Sequence, residues 1–94
     1  GMVRSSALDL GPHGIRVNAI GPGPIATDAL MSRIEFRAEH GGVAVEEALQ
    51  QLRSETALRR MATEEEVANT ALFLASHLSS GVTGQIIPVD AGIS

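Results

Sequence analysis

Two short runs of strand character, Ile15–Ile20 and Gln85–Asp90, stand about sixty residues apart, and that gap constrains the fold more than any other feature of the chain. In the first run Ile15, Val17 and Ala19 alternate with Arg16, Asn18 and Ile20 after a His13-Gly14 turn. A gap of this length is far too long for a hairpin. It contains three helical patterns, which suits a crossover joining parallel strands in an α/β fold. Pro88 removes a ladder donor from the second run and marks it as an edge strand.

The helical patterns have distinct signals. Residues 1–10 place Val3, Ala7 and Leu10 on one face, and Gly11-Pro12 supplies the stop. A second helix is expected from Asp28 to about His40, ended by Gly41-Gly42. A third is expected over Val45–Ser54, with Val45, Ala48, Leu49 and Leu52 on one stripe. The best-signalled helix starts at Thr63, where Thr63 and Glu66 form a capping box and Glu64, Glu65 and Glu66 complement the helix dipole. Its expected sheet-facing side is Val67, Ala68, Ala71, Leu72 and Ala75, and Gly81 and Gly84 punctuate the turn before the last strand.

Composition narrows what such a chain can do. With 94 residues, 44% of them apolar, but only two Phe and no Trp or Tyr, any core is built from Ala, Leu, Ile and Val and is thin. The net charge of −4 and the dispersed arginines leave no basic stripe for nucleic acid. No apolar run approaches a membrane span and no signal-peptide pattern is present, so no membrane partner is expected. The lack of Cys excludes disulfides. His13, His40 and His77 have no ligand-like spacing and read as turn, helix-end and surface residues, so no metal site is assigned. Ser5, Ser6, Ser79 and Ser80 lack a nucleophile setting and read as helix-surface and loop residues. Glu46-Glu47 and Glu64–Glu66 are better explained by helix dipoles than by acid/base work.

The loop after the first strand carries the chemistry. Gly21-x-Gly23-x-x-Ala26 formally matches a dinucleotide fingerprint, but Pro22 and Pro24 offer no N–H to a phosphate, and helices rather than a second strand follow. The residues of the same loop nevertheless offer binding features. Two prolines fix the turn, Gly23 allows close backbone approach, Ile25 offers an apolar surface, and backbone groups with the Thr27 hydroxyl can hydrogen-bond. Thr27 reads equally as the N-cap of the helix starting at Asp28, and the two roles are compatible.

Ile15-Arg16-Val17-Asn18-Ala19-Ile20 running into Pro22-Gly23-Pro24-Ile25-Ala26-Thr27, with Gly81-Val82-Thr83-Gly84-Gln85 and Val89-Asp90-Ala91-Gly92, resembles the C-terminal part of a short-chain dehydrogenase/reductase. The resemblance covers essentially the whole chain, since Met2–Leu10 also looks like the end of the helix bearing that family's Tyr-x-x-x-Lys. One departure is Ala91-Gly92, where the family has a pair of glycines. The resemblance implies a single partial domain, residues 1–94: a C-terminal fragment of a Rossmann-type doubly wound parallel sheet, with its last two strands and the helices around them.

It further implies an NAD(P)-dependent oxidoreductase moving hydride between a nicotinamide and an alcohol or carbonyl carbon. Pro22, Gly23, Ile25 and Thr27 would meet the nicotinamide end, and the closing segment Thr83–Gly92 would be structural. Because the chain has neither Tyr nor Lys, it carries no catalytic residue of that family, and no activity or tight cofactor binding is expected of it alone. Residues 28–60 correspond to part of a substrate lid, the variable element of the scaffold. A homo-oligomer, or association with the N-terminal part of the same kind of enzyme, is expected, in the cytoplasm. The alternative is a non-enzymatic oligomerisation or interaction module derived from this C-terminal region.

Overall fold

A computed structural model describes residues 1–93. Helix α1 (Met2–Leu10) is followed by a 3-10 turn (Gly11–His13), strand β1 (Ala19–Pro22), helices α2 (Asp28–Glu39), α3 (Val45–Ser54) and α4 (Glu64–Ala75), a second 3-10 turn (His77–Ser79) and strand β2 (Ile86–Val89). The two strands are neighbours in one parallel sheet, as the long helical crossover requires. This mixed α/β arrangement is that of a Rossmann-type segment.

The chain divides into two compact units. Gly1–Gly21 with Glu65–Val89 form the first, and Pro22–Glu64 with residues 90–93 form the second.

In the first unit, α1 ends where Gly11-Pro12 was expected to stop it, and Gly14, at φ 75°, turns the chain toward β1. Ala7 is buried against Gly84, where a Cβ would make no worse than a van der Waals contact of 3.4 Å with the Ala7 Cβ; the left-handed φ of 75° is what favours glycine there. The strand expected over Ile15–Ile20 begins only at Ala19. The reason lies in the side chains. The Arg16 guanidinium donates to the carbonyls of Ser76, Ser79 and Val82 and to Ser79 Oγ at 2.9–3.3 Å. Asn18 donates from Nδ2 to Val82 O and accepts the Gln85 N–H at Oδ1, and the Val17 N–H donates to Thr83 Oγ1. Side chains thus take much of the place of ladder partners over Arg16–Asn18.

Ser79, read from sequence as a loop residue, is instead 1% exposed and central to this cluster. Helix α4 also differs from expectation. Glu66, Val67, Thr70 and Leu74 are its half-buried side, whereas Ala68, Ala71, Leu72 and Ala75 are exposed. Seven of its twelve residues are apolar, so its sequence pattern leaves the inward direction open.

In the second unit, α3 spans the expected residues, and its stripe of Val45, Ala48, Leu49 and Leu52 is half-buried. Glu46 and Glu47 occupy its first turn, and Glu46 pairs with Arg53 at 3.1 Å on an exposed face. Ile34 of α2 and Ala62 are the buried apolar residues of this unit.

Candidate functional site

The loop from Pro22 to Thr27 is fixed at three points inside the second unit. At its start Gly23 sits against the closing segment: a Cβ there would lie 2.6 Å from Asp90 Cβ, closer than side chains pack, and a tight 3.1 Å from Asp90 Cα. At its middle Ile25 forms a parallel bridge with Ala62. At its end Thr27 takes extended backbone angles and its Oγ1 accepts the Leu30 N–H at 3.2 Å, the N-cap expected from sequence. The Thr27 N–H donates to Ile25 O at 2.7 Å, closing a tight turn.

The close approach expected of Gly23 is therefore made to Asp90. That segment is itself held by an Asp turn, with Asp90 Oδ1 accepting from the N–H groups of Gly92 at 2.9 Å and Ile93 at 3.3 Å. The N–H groups of Ala57 and Leu58 donate to Gly92 O and Ala91 O. Gly92, at φ 81°, leaves no room for a side chain, because a Cβ would lie 2.7 Å from Ala57 Cβ. Thr56, 5% exposed, supports the same corner: its Oγ1 accepts from the Arg60 N–H and lies 3.0–3.1 Å from the carbonyls of Arg53 and Arg60.

The donor set suits an amide-bearing apolar ring. A threonine hydroxyl that accepts an N-cap bond keeps its own proton to donate. Thr27 and Ile25 are half-buried, so each presents part of its side chain outward, while Pro22 and Pro24 are exposed and hold the turn. The Thr27 cap is legible in the sequence, whereas the roles of Arg16 and Thr56 and the partner of Gly23 are not. A lone Arg within an alternating apolar run was the available signal for the first; nothing local announces the others.

His13 lies in a 3-10 turn, His40 caps the end of α2 and His77 opens the second 3-10 turn, all exposed. Among the described residues no group of three or more metal-ligating side chains forms, and no helix is long and apolar enough to cross a membrane.

A strand feeding a proline-fixed, threonine-capped loop, a run of helices and a parallel final strand define a segment of a Rossmann-type α/β fold, and comparison with known proteins agrees. A family model described as enoyl-(acyl carrier protein) reductase matches residues 1–94. The chain is 46% identical over 91 residues to the NADH-dependent enoyl-[acyl-carrier-protein] reductase of Haemophilus influenzae, covering 97% of this chain and 31% of that one. It is 43% identical to the 7alpha-hydroxysteroid dehydrogenase of Escherichia coli K12, covering 97% and 32%. A solved short chain dehydrogenase family protein from Francisella tularensis superposes with a TM-score of 0.85 at 39% identity, over 96% of this chain and 37% of that one. The chain belongs to the short-chain dehydrogenase/reductase family. It spans about a third of the length of the curated relatives it matches. Members of the family use NADH or NADPH, as their names and the cofactors in their solved structures state.

Proposed function

We propose that this chain is the nicotinamide-facing and lid portion of an NAD(P)-dependent reductase acting between an alcohol and a carbonyl carbon, and that it has no turnover by itself. The observation that carries the reading is the Pro22–Thr27 loop, anchored at Gly23, Ile25 and Thr27 within a chain that matches a reductase family along its whole length. A nicotinamide cofactor, when bound, supplies the hydride. Ile25 would cover one face of its ring, and the Thr27 hydroxyl and the loop backbone would orient its carboxamide, while Pro22 and Gly23 hold the loop in place. The acid/base step falls to residues outside this chain, which has no Tyr or Lys. The proposal includes a cytoplasmic setting, in a homo-oligomer or together with the N-terminal part of such an enzyme.

The test is a pair of assays. The chain alone should oxidise neither NADH nor NADPH with a panel of ketones and enoyl thioesters. A chimera carrying these residues in place of the last third of one of the matched relatives should do so. In that chimera Thr27→Val should raise KM for the cofactor, because the hydroxyl proton is lost while the side-chain volume is kept. Turnover by the chain alone, or a folded chimera that is inert, would defeat the reading.

A second reading has its own support. Leu72, Leu78 and Ile86 are 70%, 73% and 63% exposed, an amount of apolar surface that favours an association module using the last helix and strand. Under that reading the chain is a stable oligomer in sedimentation equilibrium, and the chimera is inert.

A further inference from the structure

Within the second unit, three stretches that are distant in sequence meet in pairs around one buried hydroxyl. The Pro22–Thr27 loop touches the closing segment where Gly23 faces Asp90. The closing segment in turn pairs with the stretch after α3: Thr56 and Ile93 form an antiparallel bridge, and the N–H groups of Ala57 and Leu58 donate to Gly92 O at 2.8 Å and Ala91 O at 3.0 Å. That same stretch returns to the loop at Ala62, which is 3% exposed and forms the parallel bridge with Ile25. The ring of contacts closes only if the chain covers the interval from Leu58 to Ala62 with a fixed offset, because one partner is held at each end of it.

A tight turn sets that offset. Arg59 stands at φ 58°, in the left-handed region that disfavours a side chain, so the turn needs a partner to hold it. Thr56 supplies one: its Oγ1 accepts the Arg60 N–H at 3.0 Å and lies 3.1 Å from Arg53 O and 3.0 Å from Arg60 O, where its single proton can serve one of the two carbonyls. The Arg59 N–H donates to Thr56 O at 3.3 Å. With Thr56 itself 5% exposed, the turn is tied from inside. We propose that Thr56 is a positioning residue for the nicotinamide-facing loop. Its hydroxyl fixes the turn over residues 56–60, the turn fixes where Ala62 lies relative to the closing segment, and Ala62 and Asp90 then hold Ile25 and Gly23. The inference rests on the role proposed above for Pro22–Thr27 and adds a residue that acts through that loop.

Two measurements test it. In the 94-residue chain, amide hydrogen exchange is followed in Thr56→Val, which keeps the branched shape and removes the hydroxyl, and in Thr56→Ser, which keeps the hydroxyl. Val should lower protection about tenfold at Thr27 and Leu30, whose amides report the loop, and at Gly92 and Ile93, whose amides report the closing segment, while Ala48 of α3 stays within about twofold; Ser should restore all four. Losses confined to residues 56–60, or a loss at Ala48 equal to that at the four amides, would overturn the proposal. Should Thr56→Val not fold, the unsubstituted chain decides: the Arg60, Leu30 and Ile93 amides should open as one unit with a common free energy, and separate openings would overturn the proposal. In the reductase chimera Thr56→Val should raise the cofactor KM about fivefold with the KM for the carbonyl substrate unchanged, and Ser should reverse the change. A residue that only stabilises the fold would lower the amount of active enzyme and leave both KM values as they were, and that outcome would also overturn the proposal. An inert parent chimera would count against the reductase reading alone, and the exchange result would then decide the role of Thr56.

Discussion

The two units of this chain secure their turns by opposite means. In the first, long polar side chains reach across the sequence: Arg16 satisfies Ser76, Ser79 and Val82, Asn18 bridges Val82 and Gln85, and Thr83 serves Val17. In the second, close backbone approach at Gly23 against Asp90 and at Gly92 against Ala57 is joined to short-range bonds from the Asp90, Thr56 and Thr27 side chains to nearby backbone. The first arrangement satisfies buried acceptors that would otherwise be costly. The second brings backbones close and excludes everything but hydrogen at two positions. A carbonyl cluster with its cation removed and a glycine contact with a methyl added should therefore fail differently, the one by leaving polar groups unsatisfied and the other by steric displacement.

The largest expected effect is at Arg16. Arg16→Met keeps the aliphatic stem and strips four acceptor contacts, two of them on the buried Ser79, so stability should fall by about 3 kcal/mol, the upper range for hydrogen bonds to a charged donor. Urea denaturation followed by circular dichroism gives the number. Arg16→Lys should recover part of the loss but not all, since an ammonium cannot span the same fork of carbonyls. A full rescue by Lys would show that charge, and not the planar donor geometry, holds this turn.

Gly23→Ala comes next, at about 2 kcal/mol, because its methyl group would have to displace the Asp90 backbone. Hydrogen exchange locates the effect. Protection should fall at Gly92 and Ile93, whose N–H groups depend on the Asp90 carboxylate, and at Ala57 and Leu58, which donate to the same segment. Unchanged exchange at those four amides would mean that the loop yields and the closing segment does not, reversing the assignment of which part positions the other.

These contrasts explain what the sequence made legible. Helix α3 was readable to its ends because one apolar stripe and two acidic residues in its first turn agree on the same element. Thr27 was readable because capping is a local interaction over three residues. Helix α4 was readable as a helix but not in its facing, since alanines at 68, 71 and 75 bury so little area that Val67, Thr70 and Leu74 decide the direction. The start of β1 was placed at Ile15 because alternation records only which way side chains point. It does not say whether the backbone finds ladder partners or, as over Arg16–Asn18, side-chain ones. Ser79 and the Gly23–Asp90 contact were hidden for a simpler reason, in that each depends on a partner more than sixty residues away.

Thr27→Ala should cost about 1 kcal/mol, the usual worth of an N-cap hydroxyl, and Thr27→Asp should cost little because a carboxylate also accepts the Leu30 N–H. The pair separates the cap from the proposed ligand role. Asp restores the helix terminus yet offers no proton to a carboxamide, so in the chimera it should keep stability while weakening cofactor binding. Equal cofactor affinity in Thr27→Asp and the parent chimera would confine Thr27 to capping.

The smallest effect, and the only gain, is expected at Ala91. Its φ of 56° lies in the left-handed region, which for an alanine costs on the order of 1 kcal/mol and for glycine almost nothing. Ala91 O accepts the Leu58 N–H at 3.0 Å, so the residue is held in that conformation by the hydrogen bonds of the closing segment. Ala91→Gly should relieve the strain, but glycine also enlarges the unfolded ensemble, and that loss offsets part of the benefit. The net stabilisation should be about 0.5 kcal/mol, measurable as a small upward shift of the urea midpoint at constant slope. Gly92→Ala at the next position gives the control with opposite sign, since it adds both the left-handed penalty and a collision with Ala57. If Ala91→Gly instead lowered the midpoint, the left-handed turn would be sustained by the alanine methyl, and close approach at glycines would no longer account for how this corner of the second unit is held.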